Sequence, residues 1–176
     1  MFQNGDIGLI YSPGIISWLE NLYANKYKEG NIKASHGFFF KDENLLSEAE
    51  GFSIHEVSRF KYFHEDPNIK TWIFRYSHLT SEQLGLMNTY VTASENGDAR
   101  YSWSGIWSFA ESYFNGKRTF VDPSGEFCTD YTGQIISAAQ LPYITALKPW
   151  EIDPTTQLNY FLSDQAKQDG WIQVYQ

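Results

Sequence analysis

Cysteine is almost absent from this chain: Cys128 is the only one in 176 residues. That excludes an intrachain disulfide and a zinc site built on two or more thiolates. It also removes the pattern of a disulfide-stapled secreted domain. No run of 18 consecutive apolar residues occurs, so no transmembrane helix is expected. Basic residues are scarce as well, 13 Lys and Arg against 21 Asp and Glu, for a net charge of −8. This balance disfavours general binding to the phosphates of nucleic acid and adhesion to anionic lipid. The opening Met-Phe-Gln-Asn-Gly-Asp has neither the basic region nor the apolar run of a signal peptide. A soluble, cytoplasmic protein is the expectation, with release or export by another route left open.

Several signatures of known chemistry are also missing. There is no Walker loop, no dinucleotide fingerprint and no Gly-x-Ser-x-Gly elbow. His-Glu pairs occur at His55-Glu56 and His64-Glu65, but no second histidine follows at helical spacing, so the metalloprotease signature is absent. Glu65-Asp66 lacks the spacing of a calcium loop. No metal and no organic cofactor is expected.

What the chain has in quantity is aromatic residues, 18% of the total. No linker, repeat or low-complexity tract divides it, so residues 1–176 read as a single domain. Residues 7–11 read as a buried strand, 15–27 as an amphipathic helix and 35–41 as an apolar strand. A turn at Lys41–Asn44 leads into a returning strand over 45–50, and the extended pattern resumes at Phe52, Ile54 and Val57. Residues 71–76 form another strand, with Trp72, Phe74 and Tyr76 on one face. Thr80-Ser81-Glu82-Gln83 is a capping box, flanked by the hydrophobic staple Leu79–Leu84, and starts a helix that fades before Asn96-Gly97. Residues 103–115 look helical, with Trp103 and Trp107 on the core stripe, and 118–121 a short extended piece. A loop at Pro123-Ser124-Gly125 delivers the chain into a helix over 126–140. Pro154 introduces a short helix, and residues 171–175 close as a strand. The uneven alternation of helices and strands predicts an α+β fold.

Cys128 is the most informative residue. It falls at the predicted start of a helix, directly after a glycine-containing loop. Unpaired amides and the helix dipole there favour a thiolate, and the Cys128 amide itself is a candidate oxyanion donor. The competing reading is a buried structural cysteine acting as a small hydrophobe. A thiolate nucleophile needs a base near it in space. Of four histidines, His36 is the best candidate, because it opens the apolar strand Gly37-Phe38-Phe39-Phe40, where a polar ring needs a partner or a cleft. A third group would orient the imidazole. The returning strand offers Glu48 and Glu50, which share a face by alternation, and the pattern does not choose between them.

Taken in order, Gly5-Asp6-Ile7, Ser35-His36-Gly37, Glu48-Ala49 and Phe127-Cys128-Thr129-Asp130 resemble the circularly permuted papain-like cysteine hydrolases of the NlpC-type superfamily, especially its YiiX-like branch. Lecithin retinol acyltransferase belongs to the same wider group. In these families the histidine and the polar third residue precede the cysteine. Two departures are visible. Thr129-Asp130 stands where Ser-Glu is usual, keeping a hydroxyl and a carboxylate, and no small apolar residue separates His36 from Gly37.

The resemblance implies a permuted papain-like α+β fold, a mostly antiparallel sheet packed against the cysteine helix. It implies Cys128 as nucleophile, His36 as general base and acid, and Glu48, in preference to Glu50, as the orienting partner. Tyr11, at the end of the first strand, is a second oxyanion donor candidate. The implied activity is cysteine-dependent hydrolysis of an amide or ester in a peptide, cell-wall stem or lipid substrate. An acyltransferase with the same site, and a non-catalytic binding or inhibitory protein retaining the fold, are the alternatives.

Overall fold

The computed structural model describes residues 1–12, 33–50, 53–63, 68–97, 128–144 and 152–176. The expected elements at 15–27, 103–115 and 118–121, the loop at 123–125 and the His64–Asp66 segment lie outside them. So do Trp103 and Trp107. Within the described residues the chain is mixed α+β, with six strands in one sheet and four helices.

The strands are β1 (Ile7–Tyr11), β2 (His36–Phe40), β3 (Leu45–Glu50), β4 (Ser53–Ser58), β5 (Lys70–Tyr76) and β6 (Trp171–Tyr175). Their order across the sheet is β4-β3-β2-β1-β5-β6, and every neighbouring pair is antiparallel. The helices are α1 (Ser81–Asn96), α2 (Cys128–Ala138), α3 (Pro154–Phe161) and α4 (Asp164–Asp169). A single 3-10 turn, Arg59–Lys61, follows β4.

Alternation along the strands sends apolar side chains to both faces, and each face has its own core. Ile7, Leu9, Phe39, Ala49, Trp72 and Phe74 meet Tyr131, Ile135 and Ile136 of α2 and Leu158 and Phe161 of α3. On the opposite face Ile10, Phe38, Phe40, Leu46 and Ile73 pack with Tyr62. Phe38 owes its place to Gly8, its partner across the β1–β2 ladder. A Cβ on Gly8 would lie 2.0 Å from the Phe38 ring, so glycine makes the space this ring fills.

The local signals act as their chemistry requires. Thr80 Oγ1 accepts from the Gln83 amide while the Gln83 side chain accepts from the Thr80 amide, the reciprocal pair of a capping box. Asp153 caps α3 ahead of Pro154, and Gly170 closes α4 at φ +103°, a conformation that favours glycine. Asp6 is fully buried and takes a two-pronged ion pair from Arg75, with contacts of 2.7 and 2.8 Å. It therefore fastens β1 to β5. Since Phe40 donates to the Asp6 carbonyl, Gly5-Asp6 lies at the end of β2 opposite His36.

Candidate active site

Two strand residues and one helix terminus converge at the end of the sheet where β2 begins. His36 is the first residue of β2, and alternation turns its side chain to the face that carries Phe38 and Phe40. Glu48 lies across from Phe38 in the β2–β3 ladder, so it is the diagonal neighbour of His36 on the same face. His36 Nε2 donates to Glu48 Oε2 at 3.0 Å, with 13% of the imidazole side chain exposed and none of the carboxylate side chain.

Cys128 begins α2 and is buried. Its thiol lies close enough to His36 for its charge and hydrogen bonding to favour the imidazolium. Because Glu48 occupies Nε2, Nδ1 is the ring nitrogen left for the sulfur.

The helix reaches this point because Gly37 lets it. A Cβ at Gly37 would stand 3.3 Å from Thr132 Oγ1, one turn into α2, 3.3 Å from a Leu9 methyl and 3.4 Å from Gln157 Oε1. The residue beside the histidine thus lies directly against the first turns of α2. Helix α3 braces both partners. Thr155 Oγ1 and the Ala34 backbone exchange hydrogen bonds at 3.2 and 3.3 Å, which holds the lead-in to β2. Gln157, fully buried, bonds Thr132 and Tyr143. Thr129 Oγ1 donates 2.6 Å to the Ile152 carbonyl just before α3. Ser35 adds a further tie, its hydroxyl accepting from the Ser12 amide at 3.0 Å at the end of β1.

The charge balance of the group follows from these contacts. Burial alone would push His36 down and Glu48 up. For His36 the charge on Cys128 and the hydrogen bond to it, followed by the hydrogen bond and charge of Glu48, outweigh burial and raise the imidazole from 6.5 to about 10. For Glu48 the hydrogen bond and charge of His36, then hydrogen bonds from Lys61 and Tyr62, outweigh burial and hold the carboxyl at about 2.

The other candidate residues fall around this chain. Glu50 shares the face of Glu48 but sits at the sheet end, half-exposed, and pairs with Lys61 rather than with His36. Tyr11 is half-buried at the end of β1, packed against the core on the helix side. Lys61 and Tyr62 were invisible to sequence reasoning. A charged turn after an edge strand reads as a solvated surface, and only Ser58, whose hydroxyl caps the turn, was there as a signal. Glu48, Glu50 and His55 bring oxygen and nitrogen atoms close enough to hold a cation. However, Lys61 Nζ lies 2.5 Å from Glu48 Oε1 and also bonds Glu50, so an ammonium already supplies the positive charge there.

A thiol beside an imidazole that a buried carboxylate orients can lose its proton to that imidazole and attack an electrophilic carbon. Among the described residues no helix is long and apolar enough to cross a membrane. No protein-family model matches the sequence, and no curated protein matches it at a significant level.

Proposed function

We propose that this protein is a cysteine hydrolase of the permuted papain-like kind, acting on an amide or ester carbonyl with Cys128 as nucleophile. The single observation that supports this most is the buried chain Cys128–His36–Glu48, drawn from a helix start and two adjacent strands. In this reading the Cys128 sulfur attacks the carbonyl carbon while His36 holds the proton taken from the thiol. Collapse of the tetrahedral adduct breaks the bond to the leaving amine or alcohol, which takes the proton from His36. Water then adds to the thioester, gives its proton to His36, and releases the acid as the sulfur returns to its starting state. Glu48 keeps Nδ1 aimed at the sulfur and stabilises the imidazolium throughout. The amide of Cys128 at the helix start, and the Tyr11 hydroxyl, are the donors assigned to the developing oxyanion. Peptide, cell-wall stem and lipid acyl groups all present such a carbonyl.

Alkylation by iodoacetamide tests the nucleophile without a known substrate, because every thiol adduct must form at Cys128. The expected result is rapid alkylation below pH 7 that slows markedly in His36→Ala. Incubation with a panel of p-nitrophenyl esters should leave an acyl adduct on Cys128 detectable by mass, and none on Cys128→Ser. A rate profile rising with a midpoint near ~8.5, as for a free thiol, together with no acyl adduct, would overturn the reading.

A further inference from the structure

Each oxygen of Glu48 is held by more than its catalytic partner. Oε2 accepts from His36 and also from the Tyr62 hydroxyl, while Oε1 accepts from Lys61 at 2.5 Å and lies 3.6 Å from His55 Nε2. The two extra donors are consecutive residues at the end of the 3-10 turn after β4. That turn is itself fixed. Ser58 caps it, the Arg59 amide donates to Asn44, and the Arg59 guanidinium donates to the Glu43 carbonyl. Tyr62 is buried and its ring stacks on Phe38 at 5.1 Å, the ring seated over Gly8. Lys61 Nζ in turn lies 5.0 Å from the centre of the Tyr62 ring.

A carboxylate held by one hydrogen bond can still rotate about its own side chain. With a fixed donor on each oxygen, only one orientation remains, and Oε2 stays against His36. We propose that Lys61 and Tyr62 are positioning residues of the site, which lock Glu48 as an ionised acceptor facing His36. Glu50 is the internal contrast. It lies on the same face two residues along and, paired with Lys61, is left half-exposed. Burial, followed by the charge of Glu48 and the hydrogen bond to it, pushes the Tyr62 phenol well up, so it remains a donor across the working range.

This inference rests on the reading of Cys128 as a nucleophile for its functional consequence, but its structural part is tested separately. The charged and titratable groups that face Glu48 are His36 from β2, His55 from β4, Lys61 and Tyr62 from the turn, and Glu50 from its own strand, with Cys128 beyond His36. The experiment follows the Glu48 side-chain carboxyl carbon by NMR in the full chain, beside iodoacetamide alkylation at pH 6. Wild type should keep Glu48 ionised down to pH ~3, whereas Lys61→Met and Tyr62→Phe should each raise its midpoint by about one unit or more. Alkylation should slow about three- to tenfold in both, as expected for the loss of a charge-assisted hydrogen bond. Lys61→Arg should restore both readouts. Lys61 belongs to neither core and Lys61→Met keeps an unbranched stem, so this variant alone decides the matter if Tyr62→Phe fails to fold. An unchanged Glu48 midpoint in folded Lys61→Met overturns the inference. A wild-type Cys128 that alkylates like a free thiol overturns the nucleophile reading instead, and leaves the Glu48 titration to decide this one.

Discussion

His36 Nε2 bonds Glu48 rather than Glu50, although the β2–β3 register, continued by two residues beyond its Phe38–Glu48 pair, sets Glu50 across from His36. The reason is depth. Glu50 ends the strand in solvent, where its charge is hydrated, whereas Glu48 is fully buried and finds its compensation in His36, Lys61 and Tyr62. The two glutamates should therefore separate in experiment. Glu48→Gln should slow Cys128 alkylation at pH 6 by about tenfold or more, one pKa unit of lost imidazolium stabilisation being a factor of ten. Glu50→Gln should slow it by less than ~3-fold, because an exposed ion pair contributes little. The reverse ranking would sink the assignment of Glu48 as the orienting residue.

Two glycines predict opposite outcomes for the same substitution. Gly37→Ala puts a methyl group 3.3 Å from Thr132 Oγ1 and Leu9, between β2 and the cysteine helix. Overpacking of this kind costs about 1–3 kcal/mol, and alkylation of Cys128 should slow along with it as α2 is pushed from His36. Gly85 lies inside α1 with nothing within 4 Å of its would-be Cβ. Gly85→Ala should stabilise the protein by about 0.5–1 kcal/mol through helix propensity, with alkylation unaltered. Urea melts of the two variants check the signs, and a stabilised Gly37→Ala would refute the close approach.

The parts of the fold that were legible in the sequence are those written in local periodicity. Trp72, Phe74 and Tyr76 share the helix-side face, as alternation requires, and the Thr80–Gln83 box starts a helix at Ser81. The helix over Cys128 was readable from the Pro123-Ser124-Gly125 sequence before it and Pro142 after it, and the strand at Trp171 was readable too. Helix α4 was missed, though Ser163 as its cap and Gly170 as its stop stand at its ends. Its six residues carry too little apolar pattern to outweigh a loop reading. The choice between Glu48 and Glu50 was not legible from alternation, since both occupy one face and only their depth differs. Lys61 and Tyr62 were beyond reach because the contact that defines them spans a turn and two strands, which no local spacing encodes.

The brace from α3 was equally hidden, and it carries its own prediction. Gln157 is buried with Thr132 on one side and Tyr143 on the other, and Gly37 lies against its carbonyl oxygen. Gln157→Leu keeps most of the volume and removes the bonds to both partners, taking the Gln157 donor from the Tyr143 hydroxyl while Thr132 keeps the carbonyls of Cys128 and Thr129. Losing these buried bonds should cost about 1–3 kcal/mol, and the thermal midpoint should fall accordingly. Thr155→Val removes the hydroxyl that joins α3 to Ala34 and should slow alkylation as well, because His36 follows two residues later. Equal alkylation in wild type and Thr155→Val at a temperature where both are folded would count against α3 as a support of the site.

The same contacts predict how stability follows pH. Glu48 titrates at about 2 in the fold against an ordinary 4.5, so the unfolded chain binds that proton more readily. Its contribution is complete above pH 4.5 and is lost as pH falls through 2. His36 moves the other way, from 6.5 to about 10, so the folded chain binds that proton more tightly. Its contribution is complete below pH 6.5 and is lost as pH rises through 10. From these two groups the wild type should be most stable between pH 4.5 and 6.5 and decline on both sides. Glu48→Gln should flatten the acid side, and His36→Gln the alkaline side, in urea melts taken at steps of pH. Wild-type and variant curves that run parallel across the acid range would show that Glu48 carries no such linkage, and with it the ion pair to His36 would fall.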